Sequence, residues 1–218
     1  MAAYVLIPGA GGAGSYWNPV VQLLEKAGHQ AVAVDLPGPD PDAGLAEYAD
    51  LVIAAAQPFS SVILVAQSLG GFTAPMAAER LAVQELVLVN AMVPIAGETP
   101  GEWWDATGSG QAREAAAIEG GYGDFDVETY FFHDVDRSAI KDSYDEVDAV
   151  FSTTCDFTSW PTRTRVLAGA DDRFFPAGFQ ARVAKERIGV DADTRPGGHL
   201  MALADPEVVA EYLMQGVS

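Results

Sequence analysis

The stretch Ala66-Gln67-Ser68-Leu69-Gly70-Gly71 closes an apolar, β-rich run that begins at Val62 and passes straight into a helical pattern, so Ser68 stands on a turn from strand to helix. On so sharp a turn the residues two before and two after the serine come close together, and only small side chains fit there. Ala66 and Gly70 meet that demand. The helix that follows aims its first N–H groups at the serine, where they can stabilise negative charge. A serine that merely caps a helix produces a similar string, so the surroundings must decide.

Outward from this turn, short apolar runs alternate with longer helical patterns. Tyr4 to Ile7, Ala31 to Val34, Val62 to Ala66 and Leu86 to Val89 read as strands buried on both faces. Helices are expected from Pro19 to Ala27, Leu45 to Ala56 and Leu69 to Leu81, with Pro75 bending the last. Such alternation implies right-handed crossovers and a parallel sheet. The pattern resumes with a strand from Arg165 to Ala168, a helix around Phe179 to Arg187, a strand near Val190 to Thr194 and a helix from Pro206 to Met214. The length of 218 residues suits one domain, with residues 1–90 and 161–218 as its core and 91–160 as an insertion. That insertion holds 11 of the 21 Phe, Trp and Tyr residues, enough for a small core of its own or for the wall of an apolar pocket.

The charge of −19 opposes sequence-independent binding to nucleic acid or to an anionic membrane surface, and leaves a neutral or cationic small molecule as the easier partner. Cys155 stands alone, and no Cys/His pair has zinc-ligand spacing, so neither a disulfide nor a metal is expected. The start, Met1-Ala2-Ala3-Tyr4, has no basic stretch, its apolar run stops at Pro8, and no run approaches the length of a membrane span. The expectation is a cytoplasmic protein.

A serine hydroxyl needs a neighbouring base to become a nucleophile. Of three histidines, His29 precedes the second strand and His133 lies in the insertion, while His199 follows Pro196-Gly197-Gly198 in the loop after the last strand. Open α/β sheets place their sites in loops at the carboxyl ends of strands, where His199 and Ser68 can meet. For the acid that orients the base, the strand-end loop Gly169-Ala170-Asp171-Asp172-Arg173-Phe174-Phe175-Pro176 offers both Asp171 and Asp172.

These residues resemble the α/β-hydrolase superfamily, whose acid commonly sits in a Gly-x-x-Asp-x-x-x-Pro stretch, matched by Gly169, Asp172 and Pro176. The resemblance selects Asp172, and the order Ser68, Asp172, His199 is the order of that fold. Some members take the acid from the preceding strand end, a place held here by Asn90. The resemblance also implies a backbone oxyanion hole from Ala10 and Leu69, with Pro8 in place of the usual histidine of a His-Gly-x turn. Leu23 to His29, Asp35-Leu36-Pro37-Gly38 and His199-Leu200-Met201 ahead of Asp205-Pro206 are most similar to small esterases related to plant methyl-ester hydrolases and hydroxynitrile lyases. In the lyases a lysine follows the catalytic histidine; Leu200 here points to hydrolysis instead. The implied architecture is a mostly parallel sheet of about six strands flanked by helices with a helical cap insertion. The implied activity, without a cofactor, is cleavage of a small apolar or aromatic ester or lactone, with Trp103, Trp104, Phe131, Phe132 and His133 as candidate substrate contacts from the cap.

Two other readings compete. Gly9-Ala10-Gly11-Gly12-Ala13-Gly14, with Asp35 after the next strand, also fits a dinucleotide-binding fingerprint. That fold starts its helix within the glycines and would bury Pro19 inside it, whereas Ser15 or Asn18 as cap with Pro19 in the first turn is the better start. No tyrosine is followed four positions later by lysine, and no Gly-Lys-Ser/Thr occurs. The other alternative is a non-hydrolytic binding or signalling protein on the same fold.

Overall fold

The computed structural model describes residues 1–136 and 149–216. Among these, β1 (Ala3–Ile7), β2 (Gln30–Ala33), β3 (Val62–Gln67), β4 (Val83–Val89), β5 (Thr164–Gly169) and β6 (Ala192–Arg195) form one parallel sheet in the order β2-β1-β3-β4-β5-β6. The helices in chain order are α1 (Asn18–Lys26), α2 (Leu45–Ala56), α3 (Gly70–Ala78), α4 (Pro100–Thr107), α5 (Ser109–Gly120), α6 (Val127–Phe131), α7 (Ala177–Ile188), α8 (Met201–Ala204) and α9 (Pro206–Gln215).

Alternate strand residues face opposite sides, so each strand feeds two cores. Val5, Ile7, Leu64, Ala66, Leu86 and Leu88 pack with Val52 of α2, Phe72 of α3 and Val183 of α7. Tyr4, Leu6, Ile63, Val65, Val87 and Val89 pack with Val20 and Leu24 of α1 and Val209 and Leu213 of α9. The expected strands and helices of the core are present. The chain runs from β1 outward to β2 and then returns to the other side of β1 with β3, which opens a crevice between the carboxyl ends of β1 and β3. Ser68 follows β3 at that crevice.

Three boundaries differ from the sequence pattern. A 3-10 turn at Gly14–Trp17 winds the chain ahead of α1, so Trp17 occupies the capping position, the helix begins at Asn18, and neither Ser15 nor Asn18 caps it. The helix after Ser68 starts at Gly70, because Leu69 belongs to the turn, and it continues through Pro75 to end at Ala78 rather than Leu81. The last strand is Ala192–Arg195, shifted toward His199; as a half-exposed edge strand it lacks the apolar run that marks the others.

Between β4 and β5 lie α4, α5 and α6, part of the 91–160 insertion; residues 137–148 of it fall outside the described residues. Thr99 caps α4 and bonds Glu102 reciprocally, with Pro100 at the first position. The half-buried Arg187, paired with the buried Glu98, ties the start of the insertion to α7, and Arg187 also donates to the Val93 carbonyl at 2.8 Å. Among the described residues no helix is long and apolar enough to cross a membrane.

Candidate active site

Ser68 sits on its turn with φ of 50°, a left-handed conformation that a non-glycine residue holds only when its surroundings force it. Its carbonyl accepts from Gly71 N at 3.1 Å and Met92 N at 3.0 Å, which fixes the turn from two sides. The demand for a small residue at position 70 is met for a specific reason, since a Cβ at Gly70 would stand 2.6 Å from the Pro8 carbonyl oxygen. The turn after β1 lies as close, for a Cβ at Gly9 would come 2.8 Å from the Ser68 Cβ. Glycine at both places lets the β1 loop and the serine turn touch.

His199 arrives from the loop after β6, and its Nε2 is 3.1 Å from Ser68 Oγ. Its Nδ1 is 2.9 Å from Asp172 Oδ2. All three residues are buried, with Ser68 at 7% exposed, Asp172 at 4% and His199 at 1%. Asp172 Oδ1 accepts from Phe174 N and Phe175 N, both at 2.8 Å, so the loop's own amides stabilise the carboxylate and anchor that oxygen. The neighbouring Asp171 faces outward and accepts from Gly197 N at 3.1 Å. It braces the histidine loop and makes no bond to the imidazole. His29 lies at the amino end of the sheet, accepting from Ala2 N through Nδ1.

Ala10 lies in the loop after β1 and Leu69 in the serine turn, and the amide of neither donates to another group among the described residues. The glycine loop does not open an α-helix. It folds onto the segment after β2, where Leu36 N donates to Gly12 O at 2.8 Å and Gly14 N donates to Asp35 Oδ1 at 2.8 Å. The carboxylate that a dinucleotide ribose would require is thus engaged by the loop itself, and α1 starts four residues beyond Gly14. No three His, Cys, Asp or Glu side chains gather as a metal-binding group among the described residues.

A serine turn, an imidazole and a carboxylate converge here from three strand ends, and the sequence over residues 4–212 matches the profile of the alpha/beta hydrolase family. The chain belongs to that family. Among proteins similar to this chain is the probable esterase PIR7A of Oryza sativa subsp. indica, 34% identical over 110 residues, or 45% of this chain and 42% of that protein. The chain spans about half the length of the curated relatives it matches. Two solved structures share nearly the whole fold. A methylesterase from Arabidopsis superposes with a TM-score of 0.77 at 16% identity, covering 100% of this chain and 99% of that one. A pyrethroid hydrolase from Sphingobium faniae does so with 0.77 at 21% identity, covering 98% and 96%. The resemblance to small plant-type esterases read from the sequence is borne out.

The candidate contacts from the insertion separate into different settings. Phe131 packs edge-on against the His199 ring at 5.1 Å between centroids. Trp104 is half-buried and reaches the site through Phe174, at 5.7 Å. Trp103 is 1% exposed, donates to the Val93 carbonyl at 3.1 Å and packs on Phe175 and Phe179, so it is a core residue. Phe132 closes α6, with its N–H bonded to the Glu128 carbonyl at 3.1 Å. His133 stands over Gly198, whose added Cβ would lie 2.7 Å from the His133 Cε1, and both its ring nitrogens are buried without a partner among the described residues. Beside it, Asp134 accepts from Gly198 N at 2.6 Å and ties the insertion to the histidine loop.

Several contributors escaped the sequence reading. Phe174 and Phe175, in the Asp172 loop, pack on His199 at 5.1 and 5.2 Å. Their signal was visible, as two aromatics beside the chosen aspartate. Asn90 and Gln180, both buried, bond around the same loops; Asn90 was legible as a polar residue at a strand end, whereas nothing in α7 marks Gln180. A cavity of about 830 Å³ opens within the insertion, lined by Trp104, Arg113, Phe125 and Tyr130 among others. It adjoins the aromatic wall that backs His199, through Phe174 against both Phe125 and the imidazole.

Proposed function

We propose that this chain is a serine-dependent carboxylic-ester hydrolase that cleaves a small apolar or aromatic ester or lactone through an acyl-enzyme. The observation that carries the reading is the continuous series Ser68 Oγ, His199 Nε2, His199 Nδ1, Asp172 Oδ2, with links of 3.1 and 2.9 Å. Similarity to a protein named a probable esterase and to a solved methylesterase supports an ester as the bond broken.

In the proposed reaction, Nδ1–H of His199 is held by Asp172, which leaves the Nε2 lone pair to take the Ser68 proton as Oγ attacks the ester carbonyl. The oxyanion that forms rests on the N–H groups of Ala10 and Leu69. His199 then gives its proton to the departing alcohol, and water, deprotonated by the same nitrogen, releases the acid and restores Ser68. Residues 1–90 and 161–218 serve as the catalytic core and 91–160 as a cap, whose Phe131 and Trp104, with Phe174 of the core, form an apolar wall beside the base. Such a wall favours compact apolar or aromatic groups on the substrate.

The test is covalent labelling with a fluorophosphonate probe alongside hydrolysis of p-nitrophenyl acetate. Labelling at Ser68, lost together with turnover in Ser68→Ala, is the expected result. A folded protein that neither labels nor turns over would instead be a binding protein on this fold, and activity that survives Ser68→Ala would remove the serine from the mechanism.

A further inference from the structure

Two amide side chains lie behind the Ser68, His199 and Asp172 series, and no step above uses them. Asn90 directly follows β4, wholly buried and with a left-handed φ of 46°. Its Nδ2 donates to the carbonyls of Gly198 at 2.9 Å and His199 at 3.2 Å, while its Oδ1 accepts from Gly169 N at 2.6 Å. Gln180, in the first turns of α7, is 4% exposed. Its Nε2 donates to the Phe175 carbonyl at 2.7 Å and stands 3.2 Å from both Asp172 Oδ2 and Asn90 Oδ1.

Three acceptors thus converge on one amide nitrogen, which has two hydrogens. Only an NH2 group fits there, because an oxygen in its place would face three acceptors with nothing to donate. With one hydrogen on Phe175, the other is shared between Asp172 and Asn90. The Gln180 Oε1, by contrast, is buried without a partner among the described residues. Leaving an acceptor bare is unfavourable, so the side chain is held for what its nitrogen does.

We infer that Gln180, backed by Asn90, is a positioning residue that locks the Asp172 carboxylate toward His199. The inference rests on the serine-hydrolase reading and deepens it. The two loop amides bond Oδ1 alone and make no bond to Oδ2, the oxygen that meets the imidazole. Among the described residues, Gln180 is the donor other than His199 that engages Oδ2. When His199 becomes an imidazolium, the stabilisation it receives depends on Oδ2 already pointing at Nδ1. Asn90 extends the control to the other loop, since its partners are the backbone carbonyls at and just before His199. One pair of amides therefore spans the acid's loop, the base's loop and the end of β4.

Gln180→Met keeps the length and approximate volume of the side chain and removes both hydrogens. The kcat for p-nitrophenyl acetate is expected to fall about tenfold, the size of one hydrogen bond to a charged group, with KM within about twofold. Placed on Asp172→Asn, the same change should cost less than about twofold, because the two residues act through one contact. The thermal midpoint should move by a few degrees at most. Should the methionine variant fold poorly, Gln180→Leu takes its place in the same cycle. An unchanged kcat overturns the inference, as does an equal loss in both backgrounds, which is what a purely structural role predicts. Wild type that fails to label with the fluorophosphonate defeats the serine reading and this inference together; labelled wild type with an indifferent Gln180 defeats the inference alone.

Discussion

At the carboxyl edge of the sheet, geometry is set by directed bonds: the Ser68 carbonyl takes two amides, the Asp172 carboxylate takes four donors, and the histidine loop is held through Asn90, Asp171 and Asp134. Apart from the bond that Asp134 lends to the histidine loop, the contacts by which the insertion approaches the imidazole are rings on rings, with Phe131 and Phe174 at 4.5 Å and Trp104 and Phe174 at 5.7 Å. Hydrogen bonds fall off steeply with angle and distance, whereas aromatic contacts tolerate a range of tilts. The first region can hold atoms to a reaction path. The second can shape what is admitted and leaves several shapes nearly equal in energy.

If that division is right, the largest effects belong to the sheet edge. Ser68→Ala should lower ester turnover by about 10⁶-fold, as seen when a serine nucleophile is removed from such a series, measured as kcat with p-nitrophenyl acetate. Asp172→Asn should cost about 10⁴-fold by presenting the wrong partner to Nδ1. Asp171→Asn should stay within about tenfold of wild type, since this residue touches only the loop backbone and one surface contact carries little energy. A greater loss from Asp171 than from Asp172 would reverse the assignment. Gly9→Ala comes next. Its methyl would press on the Ser68 Cβ and push apart the two turns that carry the proposed oxyanion donors, and a displacement near 1 Å in such a site costs about 10²-fold. A Gly9→Ala enzyme of normal kcat would mean that the β1 loop does not contribute to the transition state.

The sheet edge was also the region the sequence revealed. Buried parallel strands such as β3 and β5 show as apolar runs, and a serine, an aspartate and a histidine placed just past three strands of one parallel sheet can meet only at one end of it. Separating Asp172 from Asp171 needed family likeness, because the two differ in whether the side chain turns inward, and that depends on the Phe174 and Phe175 amides folding back on one of them. Gln180 was illegible for a related reason: its partners lie on two loops and another strand end, and a helix position gives no sign of them. In the insertion, pattern reading named aromatic residues without sorting them. Trp103 and Trp104 are adjacent, yet the helix turn sends one into the core and the other to the cavity, and that rotation is set by packing on Phe175 and Phe179.

These adjacent tryptophans give the sharpest test of the second region. Trp103→Ala removes a buried ring and its N–H bond to Val93, so it should destabilise the fold by about 3 to 5 kcal/mol in chemical denaturation. Trp104→Ala, from a half-buried position, should lose less stability and instead alter KM across a panel of esters graded in acyl size, with kcat for the smallest ester changed least. Phe131→Ala belongs with Trp104, since its ring touches the imidazole by an edge and accepts no proton; its KM change should be within about tenfold, the scale of a few buried methylenes in an apolar pocket. A fall in kcat of about 10²-fold or more in either variant, for every ester alike, would place the insertion among the elements that orient the base, and the division between an edge that reacts and a cover that selects would no longer hold.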